Sequence, residues 1–275
     1  MQQEQKRQQK EQPYTVVLAP NPSVMTGPGT NTIIVGSEAT GALVIDPAVE
    51  AEDYLEQVIT AGKARGGIRR ILITHGHPDH CGGAAALRER LGVPVLAFSR
   101  AGVTLADEEL EDGARLPVGD DSLLAIHTPG HRFDHLCFLL ERAGILFAGD
   151  LLAGVGTVVI APPEGDMAAY LASLRRLQRL ELRSIVPGHG PIITDPGSKL
   201  AEYIDHRLLR EQQVITALAR FPEGATVSAL VPHVYADVSS TLHALAAQSL
   251  TAHLLKLEQE GRVRRQDGER WQLLS

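Results

Sequence analysis

The sequence predicts a layered α/β protein followed by a small winged-helix-like module. Short apolar and β-branched runs alternate with segments of helical period through most of the chain. Near Lys199 the pattern changes to long amphipathic helices, and a hairpin-like stretch follows them. With 275 residues, the chain is long enough for one large core and a small added module.

The first part of the chain combines strand and helix patterns. Apolar residues recur at helical spacing before Gly66-Gly67, and again before Gly92, so a helix is expected ahead of each glycine signal. These helices are predicted over Ala51–Ala64 and Ala84–Leu91. The strands are predicted over Thr15–Leu18, Thr32–Val35, Ala42–Ile45, Arg70–Ile73 and Val93–Phe98.

The same alternation continues up to the composition change. Strands are predicted over Leu123–Ile126, Leu136–Leu140, Ile145–Ala148 and Ser184–Val186, with a helix over Met167–Leu180. A long helix then runs to Phe221-Pro222, where we place a domain boundary. The expected organisation is a disordered segment 1–12, a catalytic domain 13–221 and a winged-helix-like module 222–275. That module is expected to contain the segment Val227–Tyr235, a helix over Ser240–Glu260 and a hairpin over Gly261–Leu274.

Composition excludes several classes of protein. No apolar run approaches the roughly 20 residues of a membrane span, so no membrane partner is expected. The net charge of −7 gives no global attraction to nucleic acid. The first twelve residues lack the apolar region of a signal peptide, and two cysteines, Cys81 and Cys137, are too few for a disulfide scaffold. A cytoplasmic protein is therefore predicted.

The segment Thr74-His75-Gly76-His77-Pro78-Asp79-His80 carries the strongest chemical signal. In an extended backbone, residues two apart project the same way, so His75 and His77 can reach one ion. Asp79 and His80 lie where the chain turns into the next helix and can face a second ion. Neutral imidazoles and carboxylates are the ligands of zinc-like ions.

Three further candidate ligands follow later apolar runs: His131, Asp150 and His189. Each lies in a turn next to an apolar run, in the segments Thr128-Pro129-Gly130-His131, Phe147-Ala148-Gly149-Asp150 and Pro187-Gly188-His189-Gly190-Pro191. Ligands of open α/β sheets collect at the carboxyl edge. Residues distant in sequence can therefore converge there.

These residues resemble the metallo-β-lactamase superfamily, whose signature is His-X-His-X-Asp-His followed by a later His, an Asp and a final His. The resemblance covers roughly residues 14–193 and implies a four-layer αβ/βα sandwich with two zinc ions, with iron or manganese as alternatives. By this resemblance, His75, His77 and His131 would hold one ion and Asp79, His80 and His189 the other. Asp150 would bridge them.

Within the superfamily, the segments at residues 29–36, 128–135 and 187–191 are similar to the β-lactamase-like protein 2 branch, which also carries a C-terminal winged-helix-like extension. Gly76 and Phe133 depart from residues frequent in that superfamily and could reshape the substrate entrance. Asp46 resembles a position that supports the histidine loop, although capping a turn before Pro47 is an equally good interpretation. His135 is read either as a structural residue or as one that orients a ligand, and His127 is not expected to bind metal.

Two ions with a shared water would supply hydroxide at neutral pH, so the resemblance implies a metal-dependent hydrolase. Asp79 is the candidate for handling the proton of the attacking water, or it serves purely as a ligand. The substrate is predicted to be single-stranded RNA, with endoribonuclease-like cleavage, or alternatively a thioester or small acyl ester, as in glyoxalase II. The segment 227–275 has about zero formal charge, which is weak for binding phosphates.

Three other functions are weighed against these two. A β-lactamase is disfavoured by the missing signal peptide and by ligands without cysteine. A mononuclear iron oxygenase of the persulfide type has a similar motif, but His189 in its Gly-His-Gly segment argues for a second filled site. A nucleic-acid-binding module with a silent metal site would retain costly buried polar groups. The oligomeric state is left open by the sequence.

Overall fold

The computed structural model describes residues 13–266 and 269–274. By contact, the described residues form two compact units. The first comprises 13–128, 134–156 and 181–196, and the second 129–133, 157–180, 197–266 and 269–274. The predicted disordered segment 1–12 lies outside the described residues. The predicted boundary between residues 221 and 222 stays a prediction.

The first unit contains a sheet of six strands in the spatial order of the sequence, β1 to β6. The first two pairings are antiparallel and the other three are parallel. The parallel pairs are joined by crossovers, of which the first two contain helices. The strands are Tyr14–Leu18, Asn31–Ser37, Gly41–Ile45, Ile68–Leu72, Val95–Ala97 and Glu108–Glu109, and the helices of this unit are α1 (Glu52–Lys63), α2 (Pro78–Cys81) and α3 (Ala84–Leu91).

Five further strands form a second sheet in the order β11-β10-β9-β8-β7. Only the pairing of β10 with β11 is parallel among these strands. A one-turn 3-10 segment, Gly149–Leu151, follows β10. The strands are β7 (Arg115–Val118), β8 (Asp121–His127), β9 (Leu136–Leu140), β10 (Ile145–Phe147) and β11 (Ser184–Val186).

The central strands β2 and β3 of the first sheet are buried on both faces, which explains their continuous apolar runs. Side chains alternate along each strand, so Ile34 and Val44 pack with the buried face of α1, including Leu55. Their neighbours Val35 and Leu43 belong to another cluster, shared with the second sheet. That cluster includes Leu123, Leu136, Phe138 and Phe147. The first unit therefore stacks helices on one sheet and that sheet on the other.

The second unit contains four α-helices, a one-turn 3-10 segment (Ser240–Leu242) and a small antiparallel sheet among its described residues. The sheet has the strand order β12-β14-β13, and the two longer strands form a wing. Helices and wing share an apolar cluster around Val214, Leu250, Leu254 and Trp271. The elements are α4 (Met167–Leu177), α5 (Pro196–Leu218), β12 (Ala225–Thr226), α6 (Val227–Val234), α7 (His243–Gln259), β13 (Val263–Gln266) and β14 (Arg270–Leu273).

Most predicted elements are present with ends shifted by a few residues. The helix over Ala84–Leu91 and the strands Leu136–Leu140 and Ser184–Val186 have the predicted bounds. The helix predicted over Met167–Leu180 ends at Leu177. Strands β6 and β12 were not predicted, because two residues are too short to show a period. Strand β7 was not predicted either, since Pro117 interrupts its apolar pattern.

A buried ion-pair network ties α5 to α7 in the second unit. Glu211 lies 2.7 Å from Lys256 Nζ, 3.4 Å from Arg262 Nη1 and 3.8 Å from His253 Nδ1. Burial raises the pKa of Glu211, but the nearby His253 and the hydrogen bond from Lys256 outweigh this effect and lower it to about 2. A carboxyl whose folded pKa is depressed stabilises the fold above its unfolded pKa and loses this contribution as the pH falls.

We therefore expect wild-type stability to fall between about pH 5 and pH 2, and Glu211→Gln to be less stable at pH 7 with a shallower fall. Urea denaturation at several pH values measures both quantities. Glu223→Gln is the matched control, because Glu223 is exposed. Equal pH dependence in Glu211→Gln and Glu223→Gln would contradict this account.

Candidate metal centre

The candidate ligands lie beyond the carboxyl ends of strands in the first unit. Strand β4 ends at Leu72 just before His75, β10 ends at Phe147 before Asp150, and β11 ends at Val186 before His189. Because β4 and β11 belong to different sheets, this edge gathers residues from both. The turns that follow these three apolar strands therefore bring their polar side chains to the same edge.

Two groups of side chains among the described residues could each hold a metal ion. Within each group, one ligand atom per residue lies within 4.8 Å of the others. His131 is carried by the loop 129–133. The residues on either side of this loop in the sequence, 128 and 134, belong to the first unit. The first group consists of His75, His77, His131 and Asp150, and the second of Asp79, His80 and His189.

In the first group, His75 Nε2 lies 2.8 Å from His77 Nδ1. Thr74 Oγ1 donates its hydrogen to Asp46 Oδ2 at 2.7 Å, so its lone pairs are left for the Nδ1–H of His75 at 3.0 Å. His75 is therefore held in the tautomer whose lone pair is on Nε2, the nitrogen that lies beside His77 Nδ1. A neutral imidazole with its lone pair on the nitrogen that faces the ion is what a metal ion requires.

The second group converges on Asp150. Its Oδ1 lies 3.3 Å from His80 Nε2 and 3.3 Å from His189 Nε2. The two imidazole nitrogens are themselves 3.3 Å apart, and Asp79 Oδ2 lies 3.3 Å from His189 Nε2. One carboxylate thus belongs to the first group and lies against two imidazoles of the second.

Asp46 supports both groups from behind. Its carboxylate accepts from the Thr74 N–H at 2.8 Å and from the Thr74 hydroxyl, and lies 2.7 Å from His80 Nδ1. The Nδ1–H of His80 therefore points at Asp46 and its Nε2 points at the site. Asp46 is 2% exposed and has a φ of 53°, a conformation that Asp adopts more readily than most residues. The interpretation of Asp46 as a support of the histidine loop is confirmed.

Two other polar residues position the ligand loops. His135 Nε2 accepts from the Asp150 N–H at 3.1 Å, while its Nδ1 lies 2.9 Å from Thr128 Oγ1. Asp134 Oδ2 accepts from the Gly76 N–H at 3.0 Å, in the middle of the histidine motif. The structure therefore gives His135 an orienting role on the backbone of Asp150.

The start of β2 holds the last ligand loop. Asn31 Nδ2 donates to the carbonyls of Pro187 at 3.0 Å and Gly190 at 2.9 Å, which flank His189. Thr30 Oγ1 donates to the Asp79 carbonyl at 2.9 Å. Sequence reasoning assigned no role to Thr30 or Asn31; their only signal was membership of the Gly29–Gly36 segment used for the resemblance.

Gly188 allows the His189 loop to approach the ligands closely. A Cβ at this position would lie 2.8 Å from Asp150 Oδ1 and 2.8 Å from His80 Cε1. We expect Gly188→Ala to displace Asp150 or His80 and to weaken metal binding by about 10- to 100-fold, the range for disturbed ligand support. Metal titration of the purified variant measures this loss. Gly92→Ala is a control for the loss of a glycine: its φ of 64° makes alanine strained there, but a Cβ meets nothing within 4 Å, so metal affinity should stay that of the wild type. Wild-type affinity in Gly188→Ala would contradict the placement.

The donor set fits divalent metal ions. Burial raises the pKa of Asp150, but the charge of His80 and the hydrogen bond with His189 outweigh it, so the carboxyl stays ionised. Burial lowers the pKa of His189, yet Asp150 and Asp79 raise it to about 9. The ionised carboxylates of Asp150 and Asp79 are therefore stabilised by nearby positive charge. Divalent ions would supply this charge in place of protonated histidine. That these residues bind metal stays a prediction.

His127 is outside both groups. Its ring stacks on Phe98 with centroids 3.7 Å apart, and its backbone N–H donates to Asp112 Oδ1 at 2.8 Å. That His127 does not bind metal stays a prediction.

The comparisons with known proteins agree with the geometry. The family described as the metallo-beta-lactamase superfamily matches residues 25–189, and the beta-lactamase associated winged helix domain matches residues 226–271. A "Beta-lactamase-like protein 2 homolog" of Drosophila melanogaster is 33% identical, with 90% of this chain and 88% of that protein covered. An "Atrochrysone carboxyl ACP thioesterase" of Aspergillus chevalieri is 34% identical, with 90% and 81% covered.

A solved structure shows the same fold over nearly the whole chain. A metallo-beta-lactamase family protein of Thermus thermophilus aligns with a TM-score of 0.78 at 24% identity, covering 95% of this chain and 99% of that one. The predicted fold class and the predicted C-terminal winged helix are therefore confirmed. The chain belongs to the metallo-β-lactamase superfamily and carries the winged helix domain associated with it.

Proposed function

We propose that this protein is a hydrolase with a dinuclear metal centre, loaded with zinc. The observation that carries the proposal is the position of Asp150, whose carboxylate is shared by the two ligand groups. Two adjacent ions supply a nucleophilic water of lowered pKa and stabilise negative charge that develops on the substrate. His75, His77 and His131 would hold one ion, Asp79, His80 and His189 the other, and Asp150 both.

The protein's own residues prepare this chemistry by fixing protonation and direction. Asp46 and Thr74 keep protons on the Nδ1 atoms of His80 and His75, so their Nε2 atoms face the centre. His135 holds the backbone of Asp150. Such pre-organisation limits the rearrangement needed when substrate arrives.

Asp79 is the carboxylate placed to accept a proton. Its side chain is 31% exposed, against 13% for Asp150. Burial raises the pKa of Asp79, but the hydrogen bond with His189 and the charge of His80 lower it below the ordinary value. An ionised, accessible carboxylate beside the ligands can take up the proton of an attacking water.

For the substrate we propose an acyl thioester. The relative from Aspergillus chevalieri is named for thioester hydrolysis and aligns over 90% of this chain. The overall charge of −7 and the near-neutral segment 227–275 give no broad surface for a polyanion.

Single-stranded RNA is the second candidate, and the wing supports it. Arg264, Arg265 and Arg270 are exposed on adjacent strands β13 and β14. Arg265 lies over the Trp271 ring with its Cζ 4.5 Å from the centroid. By the strand register, Arg264 and Arg270 share one face of the hairpin and Arg265 lies on the other with Trp271. Exposed guanidinium groups on the wing can contact phosphates.

One assay separates the two substrates. The zinc-loaded protein is incubated with an acyl-pantetheine thioester and with end-labelled single-stranded RNA, in parallel with His77→Ala and with Arg264→Gln/Arg265→Gln. We expect thioester turnover that is lost in His77→Ala and unchanged in the double arginine variant.

RNA cleavage that is lost in His77→Ala and weakened in the double variant would instead establish the nuclease. Cleavage of RNA that persists in His77→Ala would indicate a contaminating nuclease and count against the candidate. If neither substrate reacted, both substrate assignments would fail, whereas the metal centre itself is tested by metal content.

A further inference from the structure

The second unit contains a buried cluster of basic and polar side chains that includes none of the candidate ligands. We name it the Arg207 cluster. On α5, Arg207 and Arg210 lie one turn apart and are 2% and 6% exposed. The other members are His206 beside Arg207, Tyr235 just after α6, and His253 on α7.

We propose that the Arg207 cluster binds a phosphate group. Nothing in the family assignment or in the proposed hydrolase function requires such a site, and the proposal stands independently of that function.

The first argument is charge. Four cations of this region, Arg207, Arg210, Lys256 and Arg262, are accompanied by three carboxylates, Glu211, Asp237 and Glu260. Asp237 pairs with Arg210 at 2.8 Å, and the other two carboxylates with Lys256 and Arg262. Arg207 has no carboxylate within ion-pair distance in the described chain.

Arg207 is instead held by neutral groups. Its Nη2 donates to the carbonyl of Val158 and its Cζ lies 5.3 Å from the centroid of the Tyr170 ring. A guanidinium stays charged at any physiological pH, and burying a charge without a counter-ion is costly. Water can satisfy its hydrogen bonds but cannot neutralise it, whereas an anion does both.

The second argument is the set of polar atoms without hydrogen-bond partners. Six atoms of the cluster are buried and have no hydrogen-bond partner in the described structure: Arg207 Nε, Arg210 Nε, Tyr235 Oη, His206 Nδ1 and both ring nitrogens of His253. Buried polar groups are rarely left unpaired, and here six of them, on five side chains, belong to one cluster. Guanidinium, hydroxyl and imidazole groups are the side chains that donate to phosphate oxygens.

The cluster also shows the electrostatic effect of surplus positive charge. Burial and the nearby Arg207 and Arg210 lower the pKa of His206 to about 4. Arg210 Cζ lies 4.8 Å from the centroid of the Tyr235 ring, which places that phenol among the cations. His206 is the partly exposed member and marks the side from which an anion can enter.

The test is binding of inorganic phosphate to the full-length protein, followed by calorimetry and by thermal unfolding at matched chloride ionic strength. We expect saturable stabilisation by phosphate. Arg207→Met should lose most of it, and Tyr235→Phe should weaken phosphate binding by about tenfold, because a hydrogen bond to a charged group is lost.

Tyr235→Phe separates binding from structure. Removing a hydroxyl that has no partner leaves the stability in chloride unchanged, so a loss specific to phosphate reports a bound anion. Arg220→Met is the matched control, since Arg220 is exposed on the same unit and should retain wild-type binding. Phosphate stabilisation no greater than that of chloride, or equal stabilisation in all three variants, would overturn the proposal.

Two sources of phosphate are then distinguished by competition. Pantetheine 4′-phosphate carries a phosphomonoester and a ribodinucleotide carries a phosphodiester. Displacement of inorganic phosphate by the first, lost in Arg207→Met, assigns the site to a small phosphorylated carrier. Displacement by the second assigns it to a nucleic acid strand.

Discussion

Asp150→Asn is expected to reduce turnover by about a thousandfold or more while the fold remains. The carboxylate lies 3.3 Å from both His80 and His189 and belongs to the group with His75 and His77. An amide has about the same size but no charge, so it cannot neutralise two cations at once. A loss of several kcal/mol in the charge stabilisation that metal ions provide corresponds to this factor.

The measurement is kcat/KM on whichever substrate the wild type hydrolyses, together with metal content and the unfolding temperature. Asp120→Asn is the control, because Asp120 is exposed in the same unit. Activity within tenfold of the wild type in Asp150→Asn would remove the bridging role. An unfolded variant would be replaced by Asp150→Glu, which keeps the charge and displaces it.

Asp46→Asn has the second largest expected effect. The side chain touches no substrate; it holds Thr74 and His80. Asn tolerates the positive φ at this position, so the backbone is expected to survive. Without the negative charge the Nδ1–H of His80 is held less firmly, and metal affinity should fall by about 10- to 100-fold.

Competition with a chromogenic chelator measures that affinity without relying on activity. Asp53→Asn, on the exposed face of α1, should bind metal like the wild type. If excess zinc restored the activity of Asp46→Asn, a positioning role would be supported. Unchanged affinity in Asp46→Asn would show that the carboxylate is not needed to orient His80.

The fold class was predictable because strands that are buried on both faces of a sheet give continuous apolar runs in the sequence. Strands β2 and β3 are buried on both faces, so they appear as unbroken apolar runs such as Thr32–Val35 and Ala42–Ile45. Strand β6 could not be predicted, since Glu108-Glu109 is an exposed pair held only by its neighbour β5. Pairing of this kind depends on the rest of the sheet.

The structure brings the candidate ligands together, and the sequence could single them out because each lies in a turn next to an apolar run. The residues that support them were harder to find, because their roles depend on long-range contacts. Asn31 lies more than 150 residues from the loop it holds, and nothing in its own segment indicates Pro187 or Gly190. Asp46 was identified only as one of two interpretations.

The Arg207 cluster was not predictable at all. In the sequence, α5 looks like an amphipathic helix with ordinary surface charges. Arginine is usually exposed and leucine usually buried, but on α5 Arg207 is buried and Leu209 is 57% exposed. Only packing within the second unit reveals which charges lack a counter-ion.

None of the helices in the described part of the chain is long and apolar enough to cross a membrane. The cytoplasmic location stays a prediction, as does the identity of the metal.

The most direct test of the dinuclear centre is the number of metal ions bound per chain. Metal-free protein is equilibrated with zinc, dialysed and analysed for zinc by mass spectrometry, beside His77→Ala and His189→Ala. The account predicts about two zinc ions for the wild type and fewer for each variant, since each removes a ligand of a different ion. A wild type that holds one ion, or none, would contradict the shared role assigned to Asp150.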